Sequence, residues 1–341
     1  MLKPNFKLSK KLLTNITQIE RLYGQLEALK IPQKLELNLH QDNLIQSVYV
    51  SNSIEGNPLS LQEVTNLLLN DRVPVNRDEK EVRNYFDILT HLADYTDQPL
   101  SVDLTLQFHR LLITGVRDEI AGQIRNKKVI VGRYANESRQ FMTLEIKHEP
   151  PFHRKNQIIA ALTELFDWQI EDTQIPLVIK TGIFHHHFVY LHPFLDGNGR
   201  VCRLLTALLF LKNQYLINKY FLLDDYYDID RHMYSDKLHT ADSGNKTEWL
   251  EYFTDGVNFS LQGALARIKQ AMFRLDVADR PSPKERQVLE IIQTQKQITS
   301  ADLVYRLKIS RQQAHNLLKA LLDKGFLVKK GKTKKSYYYL K

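Results

Sequence analysis

Apolar residues recur at helical spacing through most of this chain, and the predicted elements follow from that spacing. Residues 15–28 are amphipathic, 35–47 continue the pattern, and 60–69 open on Ser60, a residue type that caps helices by accepting an amide hydrogen bond. Asn57-Pro58 interrupts the periodicity between the last two. Further helices are expected over 79–93, over 101–114 with Ser101 as cap, and over 156–169 after the Pro150-Pro151 break. Pro176 can open a helix over 177–190, and 199–211 is so apolar that it belongs in the centre of the molecule. Helices over 229–238 and 247–275 follow. The exception is KKVIVG at 127–132, a β-branched run with a returning strand near 140–144, which predicts a small hairpin.

At 278–285 the run ADRPSPKE marks a boundary, and the order of elements changes after it. Helices are predicted over 284–295, 300–307 and 310–324, and FLVKKGKTKKSYYYLK supplies two strand-like runs around a Lys/Gly turn. This arrangement resembles a winged helix-turn-helix, with 310–324 in the recognition position. The expected fold class is therefore mainly α with a small β-hairpin, plus a C-terminal winged helix. The expected domains are an N-terminal helical region at 1–110, a core at 111–277, a linker at 278–283 and the winged helix at 284–341.

Charge sharpens that division. Residues 281–341 hold 14 lysines and arginines against 4 acidic residues, a local net of +10, which leaves 33 against 35 upstream. A near-neutral body joined to a compact basic module suggests two functions, the module facing an anionic partner such as DNA. Arg311, Gln312, Gln313, His315 and Asn316 would begin the recognition helix, and Lys329, Lys330, Lys332, Lys334 and Lys335 would make a cationic wing. Winged helices also dock proteins, so both partners stay open. The 341 residues, 43% apolar and 25% charged, exclude global disorder. One cysteine, Cys202, excludes an intrachain disulfide and a thiolate-based structural zinc site. No stretch approaches the ~18 apolar residues of a membrane span, and MLKPNFKLSKKLL lacks a signal-peptide core, so a cytoplasmic protein without membrane contact is expected.

The chemistry is concentrated in HPFLDGNGRVCR at 192–203. If a helix begins near Gly199, then Gly197, Asn198 and Gly199 lie at its amino end, where unpaired amides and the helix dipole favour a phosphate. Arg200 and Arg203 share a helix face and could neutralise further phosphates. Asp196 is a hard oxygen ligand suited to Mg²⁺, and His192 is a base with an ordinary pKa of roughly 6.5. This set at this spacing would arise by chance with a probability on the order of 10⁻⁸, so a plain Gly-Asn turn does not account for it.

HPFLDGNGRVCR resembles the complete signature of the Fic (filamentation induced by cyclic AMP) family, and the resemblance extends over most of residues 47–275. It implies a protein adenylyltransferase that moves AMP from ATP to a Ser, Thr or Tyr hydroxyl of a target protein. His192 would then be the general base, Asp196 would hold Mg²⁺, and Phe194 would anchor the loop. The phosphate-binding stretch would run through Gly197, Asn198, Gly199, Arg200, Val201, Cys202 and Arg203, with Cys202 a buried small residue rather than a nucleophile. RNKKVIVG resembles the family's flap, so Val129, Ile130, Val131 and Gly132 would pair with the target backbone. The segment 231–242 resembles the lining of the adenine pocket, with Tyr234 against the base. Ser51, Glu55 and Gly56 resemble the inhibitory helix motif of members whose brake precedes the core, near residues 47–56, with Glu55 pairing with Arg203.

The run His185, His186, His187 cannot ligate one ion, because consecutive helical residues point about 100° apart. His185 lies two turns before His192 on the same face and is expected to buttress the loop. Other readings stay open: an ATP-sensing DNA-binding regulator with little transferase activity, a de-AMPylase, or transfer of another phosphate-containing group. A homodimer is likewise open.

Overall fold

The structure, a computed structural model, describes residues 2–138, 141–171, 174–215, 223–279, 281–331 and 336–340. They form two compact units, Met1–Arg267 and Ile268–Lys341. Residues 1–110 thus share one unit with the expected core, and the division falls inside a helix.

The first unit opens with α1 (Lys10–Glu27), capped by Ser9, and α2 (Gln33–Ile54). Next come α3 (Leu61–Leu69), α4 (Arg77–Thr90) and α5 (Val102–Ile113). Ser60 and Ser101 cap α3 and α5 through their side chains, as expected from sequence, and Ser60 forms a reciprocal capping box with Glu63. Strands β1 (Val131–Ser138) and β2 (Phe141–His148) form an antiparallel hairpin. Helices α6 (Lys155–Glu171), α7 (Leu177–Leu191), α8 (Asn198–Lys212), α9 (Asp224–Ile229), α10 (Arg231–Thr240) and α11 (Thr247–Asp279) follow. No described helix is long and apolar enough to cross a membrane.

Helix α8 is the centre of this unit, with Val201, Leu204, Leu205, Leu208 and Phe210 all fully buried. Helix α7 packs beside it and is approached closely by α11 at Gly182. A Cβ there would lie 2.9 Å from Leu250 Cδ2 and from Phe253 Cδ1. The Gly182 carbonyl accepts the Trp249 indole N–H at 2.7 Å.

Three expectations shift. Helix α2 runs on to Ile54, so the periodic run 35–47 and the helix expected near 47–56 are one element, whose last turns bury Ser51, Asn52 and Ser53. The helix expected over 229–238 is α10 and starts at Arg231, because Asp230 separates it from α9 and caps it by accepting from Met233 N. The first strand begins at Val131 rather than at 127. The backbone just before it is committed elsewhere, with the Lys127 carbonyl accepting from Arg125 Nη1 at 2.8 Å.

In the second unit, α12 (Pro283–Gln295), α13 (Ser300–Leu307) and α14 (Arg311–Asp323) each begin with a capping box, on Ser282, Thr299 and Ser310. Strands β3 (Leu327–Lys330) and β4 (Tyr337–Leu340) pair antiparallel, and Ile298 adds a bridge to Tyr338. Val288, Ile292, Leu303, Leu318 and Leu321 form the unit's own core. Helix α11 passes through positions 278 and 279 of the segment read as linker.

Gly182→Ala is expected to lower the melting temperature through a cost of about 1–3 kcal/mol of overpacking. Gly24→Ala, in an exposed stretch of α1 with nothing within 4 Å of the new methyl, is expected to raise stability by about 0.5–1 kcal/mol. Thermal unfolding of the two variants against wild type measures both.

Candidate active site

The loop between α7 and α8 holds its shape through buried side chains that clamp its backbone. His192 ends α7 in the left-handed region, φ 45° and ψ 63°, a conformation that a non-glycine residue keeps only when its surroundings enforce it. Arg125, 2% exposed, supplies the enforcement. Its Nε donates to the His192 carbonyl at 2.6 Å, its Nη2 to the Leu191 carbonyl at 3.2 Å and its backbone N–H to the Pro193 carbonyl at 3.0 Å. Phe194 is fully buried and stacks on the His109 ring at 3.8 Å. His109 accepts the Gly122 N–H at Nδ1 and donates from Nε2 to the Asp196 carbonyl at 3.1 Å, so as a neutral ring it ties the loop to the segment at Gly122. Burial pushes its pKa down to about 4. Asn198 closes the turn, donating to the Phe194 carbonyl at 2.9 Å and accepting the Phe194 N–H at 2.8 Å.

These clamps leave the start of α8 open to an anion. Gly197 caps the helix at φ 78°, with Ile113 and Leu112 3.3 Å from where a Cβ would stand. The first intrahelical bond runs from Val201 N to the Gly197 carbonyl. The amides of Asn198, Gly199 and Arg200 therefore have no partner within the helix and point out of its positive end.

Around that end sits a charge network. Arg200 donates to Glu81 at 3.1 Å and Asp196 at 3.3 Å, while its buried Nε has no hydrogen-bond partner among the described residues. Asp196 also faces Arg117 at 3.4 Å and Arg77 at 3.8 Å, and its side chain remains 25% exposed. Arg203 is buried and donates to the Ser51 hydroxyl at 2.7 Å, the Ser51 carbonyl at 2.8 Å and Glu55 Oε1 at 2.8 Å. Burial opposes its charge, but Glu55 and Asp224 hold its pKa above the ordinary value. A methyl on Gly199 would collide with Glu55 Oε1, so that carboxylate lies over the amino end of α8. Gly56 closes α2 at φ 89° and leaves Glu55 at the helix end. His192 feels the same carboxylate, yet burial first, then Arg125 and His148, push its pKa down to about 4.

The sequence-predicted site residues thus divide. His192, Asp196, Gly197, Gly199, Arg200 and Arg203 come together with Ser51, Glu55 and Gly56. Val201 and Cys202 are fully buried, the amide of Val201 is spent on Gly197, and the Cys202 thiol donates to the His185 carbonyl, so neither side chain reaches the phosphate end. Tyr234 is also in the core, stacked on Tyr227 at 4.3 Å and bonded to His185 Nε2 at 2.9 Å, rather than facing a cleft. His185 reaches Thr206 Oγ1 with its other nitrogen and so braces α7 on α8. In the hairpin region Val129 and Val131 are half-buried while Ile130 and Gly132 are exposed. Arg311 and Gln312 are exposed on the first turn of α14, and Lys329 and Lys330 on β3; Lys332, Lys334 and Lys335 lie outside the described residues. Sequence reasoning missed Arg125, His109 and Glu81, which act across 67 or more residues of chain; the one local signal was an arginine at the foot of the hairpin.

Residues 99–210 match the Fic/DOC family. It is 24% identical over 264 residues to protein adenylyltransferase fic-1 of Caenorhabditis elegans, covering 73% of this chain and 47% of the relative. It is 27% identical over 254 residues to protein adenylyltransferase Fic of Culex quinquefasciatus, covering 70% and 45%. The chain thus spans about half the length of these curated relatives. The fold is shared with a Fic family protein from Desulfovibrio desulfuricans G20, with a TM-score of 0.66 and 22% identity over 100% of this chain and 98% of that one. A Fic-1 fragment from C. elegans aligns with a TM-score of 0.61 and 21% identity, over 76% and 73% of the two chains.

In the free protein the His192 ring is expected to be neutral at pH 6, where an ordinary histidine is roughly three quarters protonated. Because its folded pKa of about 4 lies below the unfolded value, the unfolded chain takes up this proton first. This group's contribution is therefore complete above about pH 6.5 and lost as pH falls through 4. Long-range ¹H–¹⁵N spectra, assigned through loss of the signal in His192→Gln, measure the midpoint.

Proposed function

We propose that this protein is an autoinhibited adenylyltransferase that transfers AMP from ATP to a hydroxyl of a target protein. The observation that carries the reading is a neutral imidazole, His192, placed beside a helix amino end whose anion site is filled by the Glu55 carboxylate. A carboxylate held by Arg203 and lying over the amino end of α8 would stand where a phosphate would bind.

His192 would accept the proton of the target hydroxyl as its oxygen attacks the α-phosphorus. The new bond is oxygen to α-phosphorus, the bond broken is α-phosphorus to bridging oxygen, and pyrophosphate leaves. The amides of 198–200, Arg200 and Arg203 would hold the β- and γ-phosphates, so positioning and electrostatics carry most of the rate. Asp196 fits a single Mg²⁺: it is one partly exposed carboxylate whose arginine partners stand 3.3 Å or more away, and the ion would screen the phosphates. Glu55 and a γ-phosphate compete for Arg203, which makes the end of α2 a brake. Val129, Ile130, Val131 and Gly132, at the start of a hairpin that has two strands among the described residues, would take the target backbone by strand addition. The curated relatives are named protein adenylyltransferases, which supports the reaction class.

The second unit we read as a winged helix that binds DNA. A capped α14 exposes Arg311, Gln312, His315 and Asn316 on one side, and the β3–β4 hairpin exposes Lys329 and Lys330.

Glu55→Gly is expected to raise AMP transfer roughly 10- to 100-fold, the worth of one charge-assisted hydrogen bond at a desolvated arginine, and His192→Ala in that background removes it. Labelled ATP incubated with cell lysate reads both. ATP binding without protein labelling in Glu55→Gly overturns the transferase and leaves an ATP sensor. Duplex DNA retention should fall steeply between about 50 and 200 mM salt; salt-insensitive or absent retention rejects DNA as partner.

A further inference from the structure

Close to His192, but outside the phosphate site, three residues from distant parts of the chain converge. His148 ends β2, His239 lies in the last turn of α10, and Asp242 follows in the short 3₁₀ turn. His148 Nδ1 stands 2.8 Å from Asp242 Oδ2, and His239 Nδ1 stands 3.0 Å from the same oxygen. One ligand atom from each of the three lies within 4.8 Å of the others, the one such cluster among the described residues. The two imidazole rings are nearly parallel, 16° apart.

What distinguishes this cluster from an ordinary ion pair is its second layer. His148 Nε2 faces the Tyr190 carbonyl at 2.8 Å, and a carbonyl can only accept, so Nε2 carries a proton and Nδ1 is the nitrogen turned toward Asp242. Asp242 Oδ1 accepts from His186 Nε2 at 2.9 Å, and His186 Nδ1 accepts from Lys246 Nζ at 2.8 Å. Metal-binding histidines donate their other N–H to a carbonyl in this way, and metal-binding carboxylates are themselves hydrogen-bonded. Both nitrogens of His148, a residue that is 5% exposed, thus face oxygens, one of them inside the cluster.

We propose that His148, His239 and Asp242 bind a divalent transition-metal ion, zinc by its donor set, with a fourth position open to water. Two imidazoles and one carboxylate are borderline ligands, and bonds of about 2.0–2.1 Å in a tetrahedron need ligand separations of about 3.3 Å. The observed 2.8 and 3.0 Å open to that by a few tenths of an ångström. The ion would tie the last residue of the hairpin to the segment after α10, and through Tyr190 to the end of α7, two residues before His192. It would thus be a tether for the foot of the hairpin, separate from the Mg²⁺ assigned to Asp196.

The test uses the untagged full chain, stripped with chelator and titrated with zinc chloride against a chromophoric competitor. No ATP or target is involved, so the result is independent of the transferase reading. One zinc per chain is expected, and His239→Ala and Asp242→Asn are each expected to weaken it about 100-fold or more while far-UV circular dichroism is retained. X-ray absorption of the zinc-loaded wild type is expected to show two imidazoles and oxygen donors without sulfur, which keeps the test valid should a variant misfold. Failure to take up zinc at equimolar concentration, uptake unchanged in both variants, or a shell with fewer than two imidazoles overturns the proposal.

Discussion

A guanidinium removed from water must be surrounded by acceptors, and Arg203 meets that demand with one helix end. The Ser51 hydroxyl, the Ser51 carbonyl and Glu55 all converge on it, with Asp224 behind at 3.9 Å. Removing one partner of a buried charge pair typically costs 3–5 kcal/mol, because the other charge is left without compensation. The last turns of α2 are therefore fastened to the first turns of α8 for a reason of solvation. The same fastening sets the Glu55 carboxylate over the amino end of α8.

The loop before α8 answers a different constraint. A non-glycine residue in the left-handed region and a helix start whose amides face outward both require a backbone that cannot relax. Arg125 binds three consecutive carbonyls, Leu191, His192 and Pro193, and Asn198 closes the turn from the other side. His109 stacks under Phe194 and bonds the Asp196 carbonyl. None of these buried groups reaches outward. They spend their hydrogen bonds on the loop, while the buried His192 Nδ1 is left without a partner among the described residues. The low pKa of His192 follows from the same burial and leaves the ring a neutral acceptor at physiological pH.

The hairpin shows how a neighbouring demand moves an element. KKVIVG has strand composition, yet pairing begins only at Val131. The preceding backbone serves Arg125, and Gly132 must lie against Glu145, whose carbonyl would stand 2.5 Å from a Cβ. Intrinsic preference set the kind of structure, and the loop next door set its boundary.

Much of the fold and of the candidate site was legible in order along the chain, because the forces involved are local. Helical periodicity, the caps at Ser60 and Ser101, and the run 192–203 all act over a turn or two, so contiguous residues carry them. A helix amino end converts a short motif into an anion site by backbone geometry alone. Only the tertiary structure decided which distant polar groups share a desolvated space. It placed Val201, Cys202 and Tyr234 in the core, brought Arg125, His109 and Glu81 under the loop, and joined His148 to Asp242 across ninety-four positions. Those pairings follow from the cost of burying a charge without a partner, and no periodicity in a sequence records where the partner will come from.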